Sequence, residues 1–214
     1  MSRLFAMDGK LAVLLNKIAD LVILNLLWVV CCIPVVTAGA ATTAFAYELL
    51  KISRDEESYV FTGFFRQFKE NFKQSTIVWL IYLVIGAVVY FDIRALGLME
   101  LSVKPALAIV LYMIAFLALA SMFYAFPVMA FFRNSTKKVF KNSLLLAVAH
   151  LPWTLLIIVI NLCPVLLLLF GNAIAAGFLD VVIGFSLAGW ANAHIFRRLF
   201  DRYIKGVETD GEKA

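Results

Sequence analysis

Few side chains in this sequence could do chemistry in an apolar setting, and their spacing limits what each could do. Asp180 stands between two charge-free runs, with no basic residue near it. An ionisable group inside a membrane costs about 2.5–3.5 kcal/mol even on insertion scales, so a deep Asp180 needs a partner and is a candidate for function, whereas a shallow one is simply solvated. Asn25 and Asn161 lie within apolar runs, where an amide bonds to another helix or to a ligand. Asn25, Asn161 and Asp180 therefore form the candidate intramembrane polar site. Asp20 follows Lys17 by three residues and Glu48 precedes Lys51 by three, a spacing that pairs opposite charges on a helix at the interface.

The remaining polar side chains suggest less. His150 and His194 are far apart and lack a matched carboxylate, a poor metal site. They and Asn192 suit structural hydrogen bonds. Cys31, Cys32 and Cys163 sit in apolar runs without CxxC spacing and read as small packing residues. No GxGxxG, GxxxxGK[ST], GxSxG or HExxH occurs, so nothing marks a nucleotide, a hydrolytic centre or a zinc. The expectation is a non-enzyme without cofactor or metal.

The elements that must position these groups follow from composition. The 214 residues are 64% hydrophobic and 15% charged, with mean hydropathy +0.94. Soluble domains are about 45–50% apolar and about 25% charged. The excess needs lipid as solvent, which predicts an all-α, polytopic membrane helix bundle in one domain, 1–214. The net charge of +5 gathers at the ends of apolar runs, a membrane pattern rather than a nucleic-acid one.

Charge-free runs cover 21–47 (27 residues), 74–91 (18), 105–132 (28), 142–179 (38) and 181–196 (16). A crossing takes about 20 residues. Helices are predicted at 17–36, 40–53, 75–93, 105–132, 143–169 and 175–198, with a disordered tail at 206–214. The longest run breaks at Phe170-Gly171-Asn172. The first run is too long to be the h-region of a signal peptide and reads as a retained span. Residues 40–53 are short, so they either cross at an angle or form half of a re-entrant hairpin. Gly39 and Thr43 permit close helix approach there.

Between these runs, 59–74 places Phe61, Phe64, Phe65, Phe68 and Phe72 on one helical stripe, with Arg66, Lys69 and Lys73 off it. This predicts a separate amphipathic helix lying in the cytoplasmic interface. Basic residues cluster at the N-terminus, at 51–73, at 133–141 and after 196, so these segments should be cytoplasmic. Residues 17–52 must then go out and return. Six membrane helices with both termini inside result; five, with the N-terminus outside, is the runner-up. Phe64-Phe65-Arg66 and Phe72-Lys73 recur as Phe131-Phe132-Arg133 and Phe140-Lys141, a weak internal echo.

Leu24 to Lys51 (LNLLWVVCCIPVVTAGAATTAFAYELLK) and the following Glu56 to Gln74 resemble the YesL family of bacterial integral membrane proteins, as do Ala147–Pro152 and Phe196–Lys205. The resemblance implies a plasma-membrane protein with a domain of unknown function, from a family whose genes often stand beside those of carbohydrate ABC transporters and two-component systems. It supplies no catalytic residue. The expected role is an accessory or regulatory component of carbohydrate uptake or sensing, with an ABC transporter or sensor kinase as partner. The alternative is a small oligomeric transporter or permease.

Overall fold

A computed structural model describes residues 10–56, 59–98, 103–132 and 134–211. The described residues are helical, without strands. Helix α1 spans Lys10–Cys32 and α2 Ala38–Ser53, joined by a 3-10 turn at Val35–Thr37. Pro34 cannot continue α1. The Thr37 hydroxyl instead bonds the carbonyls of Cys31 at 2.6 Å and Pro34 at 2.8 Å, satisfying groups that the helix end leaves open.

α2 ends in a Schellman motif. Glu56 N–H reaches Lys51 O (3.2 Å) and Asp55 N–H reaches Ile52 O (3.3 Å), with Asp55 left-handed at φ 57°. Beyond it, Lys17 of α1 is ion-paired with Asp55. The two limbs thus form a closed hairpin, and residues 17 and 55 lie at the same end. Lys17 takes Asp55 in place of the expected Asp20.

α2 is the hub of the fold. Of its 16 residues, 11 are buried, and α1, α3, α4 and α8 all pack on it. Its small residues make this possible. A Cβ on Gly39 would lie 2.5 Å from the Ser75 backbone oxygen and 2.6 Å from Trp79 Cβ. Thr43 and Ser75 hydroxyls bond across the same contact at 2.9 Å. Ringed by other helices, α2 does not need full crossing length to stay out of water.

α3 spans Val60–Leu98, 39 residues without interruption, or about 58 Å. This corrects the expected separate interfacial helix at 59–74: those residues are the first turns of α3. No Gly or Pro between 64 and 85 breaks the helix where the charge pattern changes. The stripe is also not wholly turned to lipid. Phe64 is 0% exposed in the core, and Phe65 and Phe68 pack against that core, while Phe61 is 61% exposed. The Phe72 ring lies tilted against Phe68, with centroids 5.6 Å apart. Arg66, Lys69 and Lys73 face outward.

α4 is Lys104–Phe131, α5 Thr136–Ala149 and α6 Leu151–Phe170. The predicted span 143–169 is therefore two helices. They part at His150 (φ −122°, ψ 45°), two residues before Pro152, which has no N–H for the Val148 carbonyl and suits the first turn of a new helix instead. The echo also fails as a structural repeat. Phe64-Phe65 lie inside a helix, whereas Phe131 ends α4 and Phe132 caps it. α7 (Ala173–Leu179), a π segment (Asp180–Gly184) and α8 (Phe185–Gly211) follow one another. α8 continues beyond 198 and includes 206–211 of the expected tail; 212–214 lie outside the described residues.

Five helices among the described residues are long and apolar enough to cross a membrane: Leu11–Cys32, Val60–Leu98, Lys104–Phe131, Leu151–Phe170 and Ile174–Tyr203. α2, at 16 residues, is not among them.

Candidate functional site

The deepest polar contact joins α1 to the π segment. A π turn shifts the backbone register and frees groups that an α-helix would pair. Asn25, 0% exposed, takes them up. Its Nδ2 donates to Asp180 O at 2.9 Å and Val181 O at 2.7 Å, and its Oδ1 accepts from Ser186 N–H at 2.8 Å. The amide thus uses two donors and an acceptor on one distorted turn.

Asp180 opens that turn and is 3% exposed. Its carboxyl folds over Gly184, where a Cβ would come within 2.2 Å of Oδ1. Oδ2 has no hydrogen-bond partner among the described residues. Asp180 is therefore buried in the protein, not solvated at an interface.

Several other buried hydroxyls bond between helices, whereas Thr76 Oγ1 has no hydrogen-bond partner among the described residues. Tyr82 and Ser121 share a bond of 2.5 Å between α3 and α4. Tyr124 and Thr154 share one of 3.0 Å between α4 and α6, and Thr154 also donates to Ala147 O at 2.8 Å. Glu48 is wholly buried, with its carboxyl against Gly63 of α3, where a Cβ would sit 2.1 Å from Oε1.

Asn161 lies elsewhere. It lines a partly open cavity of about 330 Å³ walled by residues of α1, α2, α3, α4, α6 and α8. The walls are mainly apolar and include the aromatic rings of Trp28, Phe45, Trp79, Phe126 and Phe196. Asn161 Nδ2 donates to Ile157 O of its own helix at 2.8 Å. Across from α6, Asn192 of α8 also lines the cavity. It is 4% exposed and its Oδ1 has no hydrogen-bond partner among the described residues. Neither Asn25 nor Asp180 lines this cavity. The structure thus joins Asn25 to Asp180 and separates Asn161 from both.

Asn192 is the cavity residue that sequence reasoning assigned only a structural role. A signal for it exists: Phe185, Gly189, Asn192, Ala193 and Phe196 fall at i, i+4, i+7, i+8 and i+11, one face of a helix, and all five line the cavity.

A charged cluster ties α2, α4 and α8 together at one end. Arg54 pairs with Asp201 at 2.9 Å and lies 4.7 Å over the Phe131 ring. Arg197 donates to Ser53 O at 2.6 Å. Lys17 donates to the exposed Asp55 carboxyl and holds it below its ordinary value of 3.8. Among the described residues, no group of three or more His, Cys, Asp or Glu is placed to hold a metal.

Residues 21–93 match the model of a family described as a protein of unknown function, DUF624. The chain is also similar to the uncharacterized protein YteU of Bacillus subtilis (strain 168), 27% identical over 129 residues, which is 60% of this chain and 58% of that protein. The chain thus aligns with little more than half the length of that relative. No solved structure matches. The family match covers α2 and the greater part of α1 and α3, the hub and its two flanking helices. With several helices long and apolar enough to cross a membrane, the chain has the character of an integral membrane protein.

Proposed function

We propose that the chain is a multi-pass plasma-membrane protein that works through protein contacts, as an accessory or regulatory component of carbohydrate uptake or sensing. The observation that carries this reading is where the polar groups go. Asn25, Thr43, Ser75, Tyr82, Ser121, Tyr124 and Thr154 are bonded within the chain itself, so they hold helices together rather than line a route across the membrane. The YesL resemblance supplies the carbohydrate link and the class of partner, an ABC transporter or a sensor kinase. Six crossings, with α2 as a short buried one and both termini cytoplasmic, agree with Lys17 and Asp55 meeting at one end and with the basic loops. A homo-oligomer is compatible with this arrangement. The test is a tagged full-length chain, mildly solubilised from cells grown on the relevant saccharide. Co-purification of a carbohydrate transporter or sensor kinase is expected; its consistent absence would contradict the proposal.

A second reading, a small permease acting as an oligomer, draws support from the cavity that holds Asn161 and Asn192. Saccharide flux in vesicles reconstituted with the chain alone would favour it over the first.

A further inference from the structure

The central cavity goes beyond the accessory role, and its chemistry specifies an occupant. We infer that it binds a neutral amphiphile: an apolar skeleton, of the acyl or isoprenoid kind, bearing a single hydroxyl group. Three features lead there. First, no Asp, Glu, Lys, Arg or His lines the cavity, so a charged ligand would be desolvated without a partner. Second, most polar atoms in the wall are already bonded. Trp28 Nε1 donates to Thr42 at 3.2 Å, Thr42 donates to Ala38 O at 2.8 Å, and Trp79 Nε1 donates to Val35 O at 2.8 Å. Third, what remains is two carboxamides. Asn161 has used one donor on its own helix and keeps its oxygen as an acceptor. Asn192 is buried with its oxygen unpaired.

A carboxamide with unmet capacity in an apolar wall matches a group that both donates and accepts, which is what a hydroxyl does. The O and N ends of Asn192 exchange by rotation, so either can be offered. A saccharide does not fit: its many hydroxyls would find two amides and otherwise ring faces and methyl groups, and each unpaired hydroxyl costs free energy. The cavity, at about 330 Å³, sits at the small end of ligand pockets, which span roughly 300–1,000 Å³. Gly189 forms part of its wall where Leu49 and Phe45 come close.

The test uses the full chain in lipid nanodiscs, with a photoactivatable dodecanol carrying a diazirine in mid-chain. Adduct sites are mapped by mass spectrometry under competition from unlabelled dodecanol, dodecane or maltose. Adducts are expected on the cavity-lining peptides of α6 and α8. Dodecanol should displace the probe roughly three- to tenfold better than dodecane, the factor expected from one net hydrogen bond. Maltose should have no effect. Asn192→Leu should keep the labelling but make the two competitors equal, a result that a misfolded variant would not give. Ala46→Phe, which fills the cavity, should abolish labelling there. Adducts confined to outward-facing residues of α3 and α4, equal competition by dodecanol and dodecane in the wild type, or displacement by maltose would each overturn the inference. None of these outcomes bears on the partner contacts proposed above, which co-purification tests separately.

Discussion

At the scale of single residues, Asn25 does the most with the least. Three hydrogen bonds of one amide hold a π turn in place, two donated to the carbonyls of Asp180 and Val181 and one accepted from Ser186 N–H. Interhelical hydrogen bonds in membranes average about 0.6 kcal/mol, so Asn25→Leu should cost about 2 kcal/mol. Unfolding in mixed micelles titrated with a denaturing detergent measures this; an unchanged midpoint would mean the turn holds without Asn25. The sequence marked Asn25 and Asp180 as polar groups in or between apolar runs, but did not show that Asp180 is buried or that the two meet. They are 155 residues apart, and the π turn that joins them leaves no periodic mark in the sequence. Asp55 carries a second residue-scale prediction. The hydrogen bond and charge of Lys17 hold the pKa of Asp55 below the ordinary 3.8. For a carboxylate whose folded-state value is depressed, the stabilisation is present above the unfolded value and lost as pH falls through the folded one. The stability gap between wild type and Lys17→Met should therefore be small but present at neutral pH, and should vanish once the pH falls well below 3.8. A gap that persists in acid would show that packing, not charge, holds the hairpin end.

At the scale of elements, the contacts of α2 decide the architecture. Gly39 lets α2 and α3 approach until a Cβ would strike backbone at 2.5 Å. Rigid backbone cannot yield as a side-chain tip can, so Gly39→Leu should separate the helices and cost about 2–3 kcal/mol, in the range of overpacked cores. Gly97 is the control. A Cβ there meets nothing within 4 Å, so Gly97→Ala should be neutral or stabilise by up to about 1 kcal/mol through helix propensity. Equal effects at the two sites would contradict the account. The short, small-residue character of α2 was legible in the sequence; its position at the centre was not, because burial depends on which helices surround it. Two boundaries were legible and misread. The stretch 64–85 contains no helix breaker, so the join at 74 could have been read as continuous. Pro152 forecast the break at His150, which a count of charge-free residues passes over.

At the scale of the whole molecule, long apolar helices are tied by separate buried polar contacts, and ion pairs link Lys17 to Asp55 and Arg54 to Asp201 at one end. The outer halves of α3 and α4 leave the bundle as a hairpin with exposed Val84, Val88, Ile109 and Met113. That surface suits lipid or another membrane protein, and the function proposed here needs a protein. The most direct test places a photocrosslinking amino acid at Val84 and at Ile109 of the full-length chain in living cells. The account predicts adducts with a carbohydrate transporter subunit or a sensor kinase from at least one of these positions. Adducts with lipid alone from both positions, in cells producing those proteins, would contradict it.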